Sequence, residues 1–210
     1  MAIVVVGGHS RNVGKTSVVV GLIAALQEFN WTAMKITQYG HGVCSRDGKT
    51  CHCANEDHTW AISEEKYPSG ESDTSRFLRA GAARVWWVRT EQGRLAEAMP
   101  TIRRRLAESQ NVILESNSIL KFIRPDLYIT VLDPSTEDFK RSAQEFLDRA
   151  DAVILHEHPE ETKFEWEGIS LKPVKNCPIF RIKPPAYVTP EIVEFVRSKI
   201  VKKTVATELA

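Results

Sequence analysis

A three-layer α/β fold with a mostly parallel central sheet is the architecture this sequence predicts, and three observations carry it. Short runs rich in Val and Ile alternate with helical patterns along the chain. Most of these runs are continuously apolar, as strands covered on both faces require. A glycine-containing stretch ending Gly14-Lys15-Thr16 joins the first apolar run to the first helical pattern. At 210 residues the chain has an ordinary size for one α/β unit and can bury a full core.

In order, strands are expected over 2–6, 32–37, 84–89, 111–115, 127–132, 152–155 and 178–182, with helices over 16–29, 73–80, 92–109, 136–150 and 189–202. Trp86 and Trp87 are adjacent in the third strand, so one ring belongs to each face. Arg103, Arg104 and Arg105 spread around a helix and read as solvated surface. Thr189 before Pro190 is a sound N-cap with proline at the first helical position. Lys199, Lys202 and Lys203 suit the end of that helix, and 204–210 reads as a frayed tail. Alternation of this kind places ligands beyond the carboxyl ends of parallel strands.

A formal net charge of +1 offers no general electrostatic case for nucleic acid or a membrane surface. The longest apolar stretch, 17–26, is too short to cross a bilayer, and the start of the chain lacks a basic segment and cleavage site, so a cytoplasmic protein is expected. Four cysteines in that setting point to metal or redox chemistry before disulfides.

The run from Gly7 to Ser17 matches the P-loop pattern G-x-x-x-x-G-K-[ST] except at its first glycine, where this chain has His9. The strand before it and the helix behind it supply free N–H groups and partial positive charge for phosphate. Asn12, Val13, Gly14, Lys15, Thr16 and Ser17 are therefore the expected phosphate-binding segment. Lys15 is placed to span the β- and γ-phosphates, and the Thr16 hydroxyl to ligate Mg²⁺. His9 reads as a filler of the space a glycine would leave open. The expected organisation is a single P-loop nucleotide-binding domain over 1–203, with a Cys/His-containing insertion at about 38–72. By the strand-end rule, Lys35 offers a second cation and Glu115 a carboxylate for Mg²⁺ or water. Asp133-Pro134 reads as a turn. His156-Glu157-His158 stands where many GTPases carry Asn-Lys-x-Asp, so no direct guanine reader is evident.

With Lys35-Ile36-Thr37, Asp73-Thr74 ahead of Ala80-Gly81-Ala82-Ala83, and Ile113-Leu114-Glu115, the P-loop resembles the molybdopterin-guanine dinucleotide biosynthesis protein B (MobB) family over roughly 1–133. Ser116-Asn117 departs from that family's glycine after the glutamate, and Gln38-Tyr39-Gly40-His41 from its His-rich stretch. The resemblance implies an accessory of molybdenum-cofactor maturation that binds GTP and acts as a homodimer beside the transferase attaching GMP. It implies Lys15, Thr16, Lys35, Asp73 and Glu115 as the phosphate and magnesium set; weak intrinsic hydrolysis is expected of the P-loop protein as a whole. The core Asn12-Val13-Gly14-Lys15-Thr16, with Lys35, is also similar to dethiobiotin synthetase, an ATP-dependent enzyme, which keeps open an ATP-using kinase or ligase.

The segment 38–72 is the most individual part of the chain, and loops of such length are usually functional. Asp47-Gly48 is a hairpin signal that sets Cys44 opposite Cys51, with Cys53 on the same face. His58 or His41 then completes a tetrahedral Zn²⁺ set with Cys44, Cys51 and Cys53, the alternative being reduced thiols or a Cys44–Cys51 disulfide. Cys51-His52-Cys53 is similar to the Cys-His metal sites of nickel-insertion GTPases, which adds a nucleotide-gated metal chaperone to the readings.

Overall fold

β1 (Ile3–Gly8) sets the two core layers, because its side chains alternate between them. Val4 and Val6 belong to one layer and Val5 to the other, the period-two pattern of a strand buried on both faces. The computed structural model describes residues 1–39, 59–157 and 166–208. Within them β2 (Trp31–Tyr39), β3 (Trp60–Glu64), β4 (Arg84–Glu91), β5 (Asn111–Glu115), β6 (Leu127–Leu132), β7 (Ala152–His156) and β8 (Ile179–Ile182) join β1 in an eight-stranded sheet. The order is β3-β4-β2-β5-β1-β6-β7-β8, and every pairing is parallel except that of β3 with β4.

Helices cover both faces. α1 (Lys15–Ala25), α2 (Asp73–Arg79) and α5 (Pro190–Glu208) bring Val18, Leu22, Phe77, Ile192 and Val196 to the Val4 layer. On the opposite face, α3 (Leu95–Ala107) packs Leu95, Met99 and Ile102 with Leu114 and Tyr128. Each such fully buried side chain contributes roughly 1.5–3 kcal/mol of transfer free energy. The expected α/β three-layer fold is the one observed.

Four details differ from the sequence expectations. The helix expected over 136–150 shrinks to α4 (Arg141–Gln144) and a 3-10 turn, Leu147–Arg149. The stretch before it is drawn onto the P-loop instead, with Lys140 N–H donating to the His9 carbonyl at 2.8 Å, so tertiary contacts override local propensity. β3 lies inside the segment expected as an insertion and adds an antiparallel edge strand. β2 runs on to Tyr39, which places Lys35 mid-strand. Finally, Arg105 is not simply solvated: with Arg84 it lies over the ring of buried Trp86, at 4.3 and 5.0 Å from the ring centroid. Trp87 faces the other way, its indole N–H donating to the Thr37 hydroxyl.

This topology puts β1 and its loop between two sets of strand ends. β2 and β5 flank one side, and β6, β7 and β8 continue on the other. Among the described residues, no helix is long and apolar enough to cross a membrane.

Candidate phosphate and magnesium site

The loop from β1 to α1 turns sharply, with Asn12 and Gly14 in left-handed conformations at φ 59° and 85°. Asn tolerates that region and glycine enters it without strain. Gly14 is constrained twice, since a Cβ there would also meet the Tyr187 ring at 2.2 Å. Asn12, Gly14, Lys15, Thr16 and Ser17 all line one open cavity of about 1500 Å³. Val13 turns its side chain wholly into the core and serves the loop only through its backbone.

Lys35, Asp73 and Glu115 arrive from three separate elements. Lys35 on β2 is in register with Glu115 on β5, so their side chains leave neighbouring strands side by side. Asp73 is the first residue of α2, held there by the Ser72 cap, whose hydroxyl accepts from Ser75 N–H at 3.0 Å. The Lys35 ammonium donates to Asp73 Oδ2 at 2.5 Å, Glu115 Oε1 at 3.0 Å and Thr16 Oγ1 at 3.3 Å. Thr16 Oγ1 in turn donates to Glu115 Oε2 at 2.8 Å. Thr16, Lys35, Asp73 and Glu115 therefore form one hydrogen-bonded cluster at the start of α1, with Lys15 beside it.

Burial works against the Lys35 charge, yet Glu115 and Asp73 outweigh it and hold its pKa above the usual lysine value. Lys15 differs. Burial pushes its pKa down to about 8 against the pull of Glu115, and its ammonium rests on the Ser10 carbonyl at 2.5 Å.

His9 is fully buried between Phe139 and Trp166, with ring centroids 5.3 and 4.8 Å away. Its ring nitrogens face the carbonyls of Val131 at 3.5 Å and Thr136 at 3.2 Å. It does not line the cavity and acts as the filler expected of it. Burial lowers its pKa below the ordinary histidine value, so the unfolded chain takes up the proton first. The stability this provides is full above about pH 6.5 and declines as the pH falls below it. Urea midpoints measured from pH 7 to pH 5 should therefore fall more steeply for the wild type than for His9→Gln. Equal slopes would exclude His9 as the cause.

Several residues at the site escaped the sequence reading. Arg76, one turn after Asp73, donates to Ser17 Oγ at 3.2 Å and to Asp73 Oδ1 at 3.5 Å. Tyr187 lies over Gly14 from the loop after β8, and its ring meets His156 edge-on at 5.8 Å. His156 Nδ1 stands 3.4 Å from Asp133 Oδ2, so the ends of β6, β7 and β8 converge on this flank. Tyr187 lies five residues beyond the end of β8, too far along the loop for the strand-end rule to place it. Asn117 pairs with both backbone groups of Gly8: its Oδ1 accepts from Gly8 N–H at 2.9 Å and its Nδ2 donates to Gly8 O at 2.8 Å. No sequence signal announced that clamp.

Cys44, Cys51, Cys53, His41 and His58 lie outside the described residues. Among the described residues, no group of three or more His, Cys, Asp or Glu side chains is placed to hold a metal ion.

No protein-family model and no curated protein matches the chain. Among solved structures it is similar to HypB from Helicobacter pylori in complex with nickel, at 15% identity and TM-score 0.50, over 98% of this chain and 88% of that one. LpxK from Aquifex aeolicus in complex with ATP aligns at 18% identity and TM-score 0.47, over 86% of this chain and 53% of that one. Bacillus subtilis MobB aligns at 18% identity and TM-score 0.39, over 95% and 98% of the two chains. At such identities the likeness concerns the fold alone, and with the HypB match and the sheet order, that fold is the α/β fold of P-loop NTPases.

Proposed function

We propose that this chain binds a purine nucleoside triphosphate, GTP or ATP, with Mg²⁺ at the P-loop and hydrolyses it slowly. One observation carries the reading: Thr16, at the start of α1, shares a hydrogen-bonded cluster with Lys35, Asp73 and Glu115, beside Lys15. In this reading the loop amides of 12–17 cradle phosphate oxygens, and Lys15 transfers its hydrogen bond from the Ser10 carbonyl to the β- and γ-phosphates. The hydroxyl of Thr16 and the carboxylates of Asp73 and Glu115 are hard oxygen donors suited to Mg²⁺, which when bound offsets phosphate charge. Slow hydrolysis fits Glu115 being engaged by both Thr16 and Lys35, so that it is not free to activate water. Tyr187, which lines the cavity and is backed by buried His156, offers an aromatic ring for a stacked base. Calorimetric titration with ATP and with GTP, each with and without Mg²⁺, tests the proposal; binding of neither nucleotide sinks it.

A second reading, ATP-dependent phosphorylation or ligation of a small acceptor, is favoured by the reach of the cavity. Its wall extends past the phosphate cluster to Ser116, Ser118, Lys121 and Phe122, and its volume of about 1500 Å³ exceeds the ~300–1,000 Å³ of ordinary single-ligand sites. The finer reading, a MobB-like homodimeric accessory beside a molybdenum-cofactor transferase, rests on the motif set Lys35, Asp73-Thr74 and Glu115. Zinc at Cys44, Cys51, Cys53 and His58 rests on their spacing. Metal content and native mass of the purified protein test the last two directly.

A further inference from the structure

We propose that Arg11 and Lys140 form a subsite for the terminal phosphate of the bound nucleoside triphosphate, a proposal that rests on the nucleotide-binding reading above. The first support is a charge balance. Lys35 and Arg76 pair with Asp73 and Glu115, so the cations on this side of the site are already engaged before any nucleotide arrives. With Lys15 the five groups carry a single net positive charge, which is small against a polyphosphate. Two further cations stand on the other side of the loop. Arg11 belongs to the P-loop itself, and Lys140 immediately precedes α4, in the segment after β6. Both line the cavity that holds Gly8, Lys15 and Glu115.

Neither is neutralised there. Among the described residues, neither side chain makes an ion pair, and the carboxylate of neighbouring Asp138 accepts from the Ser10 hydroxyl at 2.6 Å. Lys140 is half-buried, and after burial its charge is opposed most by Arg11, with only Asp138 favouring it. Lys15 also feels Lys140 as a repulsive charge. Three cations gathered around one loop cost stability in the empty protein, and an anion placed among them relieves that cost.

The arrangement is held rigidly. Lys140 N–H donates to the His9 carbonyl at 2.8 Å, Ser10 holds Asp138, and the His9 ring and Trp166 N–H both reach Thr136 O, at 3.2 and 2.8 Å. The segment carrying Lys140 is thus tied by these hydrogen bonds to the segment carrying Arg11. In this proposal the terminal phosphate, the one furthest along the nucleotide from its base, is the group that meets these two side chains. A diphosphate leaves that position empty.

The test compares a non-hydrolysable ATP analogue and ADP, each with Mg²⁺, on the wild type, Lys140→Ala, Arg11→Ala and Lys140→Arg, with thermal melts showing that each variant is folded. The expected result is a loss of about tenfold or more in affinity for the triphosphate in both alanine variants, a much smaller change for ADP, and recovery in Lys140→Arg. Unchanged triphosphate affinity, or an equal loss for triphosphate and diphosphate, overturns the assignment while leaving nucleotide binding intact. If the wild type binds neither nucleotide, the nucleotide-binding reading itself fails, and the subsite falls with it.

Discussion

Lys35→Ala should abolish Mg²⁺-dependent nucleotide binding and cost roughly 3 kcal/mol of folding stability. The ammonium of Lys35 is the centre of the cluster, 3.0 Å from Glu115 and 2.5 Å from Asp73. Its removal leaves Glu115, whose side chain is 7% exposed, as a buried carboxylate satisfied among the described residues by the Thr16 hydroxyl alone. Asp73 is 39% exposed and solvent-screened, so it adds little to the loss. The stability effect therefore comes mainly from Glu115. Urea unfolding at neutral pH measures it, and a loss under about 1 kcal/mol would show that the pair behaves as a surface ion pair.

Asn117→Ala is expected to cost about 2 kcal/mol and to weaken nucleotide binding, because it strips partners from both backbone groups of Gly8. Gly8 is the last residue of β1, where the strand hands over to the phosphate loop. The Asn117 amide thus fixes the chain after β5 to the start of the loop, across strands that also align Glu115 with Val6. The same contact explains Gly7. A Cβ there would come within 2.1 Å of Asn117 Oδ1 and 2.9 Å of the Tyr128 ring. Gly7→Ala should be strongly destabilising alone and measurably less so in an Asn117→Ala background, leaving only the tyrosine contact. Strict additivity of the two changes in denaturant unfolding would contradict the clamp.

The phosphate loop was legible because its parts are contiguous: strand, Gly14-Lys15-Thr16 and helix follow one another within a few residues. Lys35 and Glu115 were legible for a different reason. Parallel strands put their carboxyl ends on one edge, so a charged residue closing or interrupting an apolar run is aimed at the ligand side. Asp73 was reached only through family resemblance, since a capped helix start looks alike wherever it lies. Lys140 and Tyr187 stayed hidden because long-range contacts, and not local pattern, decide where their segments lie. The stretch 136–150 has helical periodicity, yet the bonds from Lys140 to His9 and from Asp138 to Ser10 hold its first part across the loop. β3 was missed because all five of its residues are only partly buried at the sheet edge, so its alternation is weak.

A nucleotide site at Gly14-Lys15-Thr16, completed by Lys35, Asp73 and Glu115, is the reading on which the proposed function rests. Its most direct test is the affinity of wild type and Lys15→Ala for ATP and GTP in Mg²⁺, with unfolding curves to show that both are folded. Saturable binding by the wild type is expected, with a loss of at least about tenfold in Lys15→Ala at little change in stability. Equal affinity in the two proteins, or no binding by the folded wild type, would contradict it.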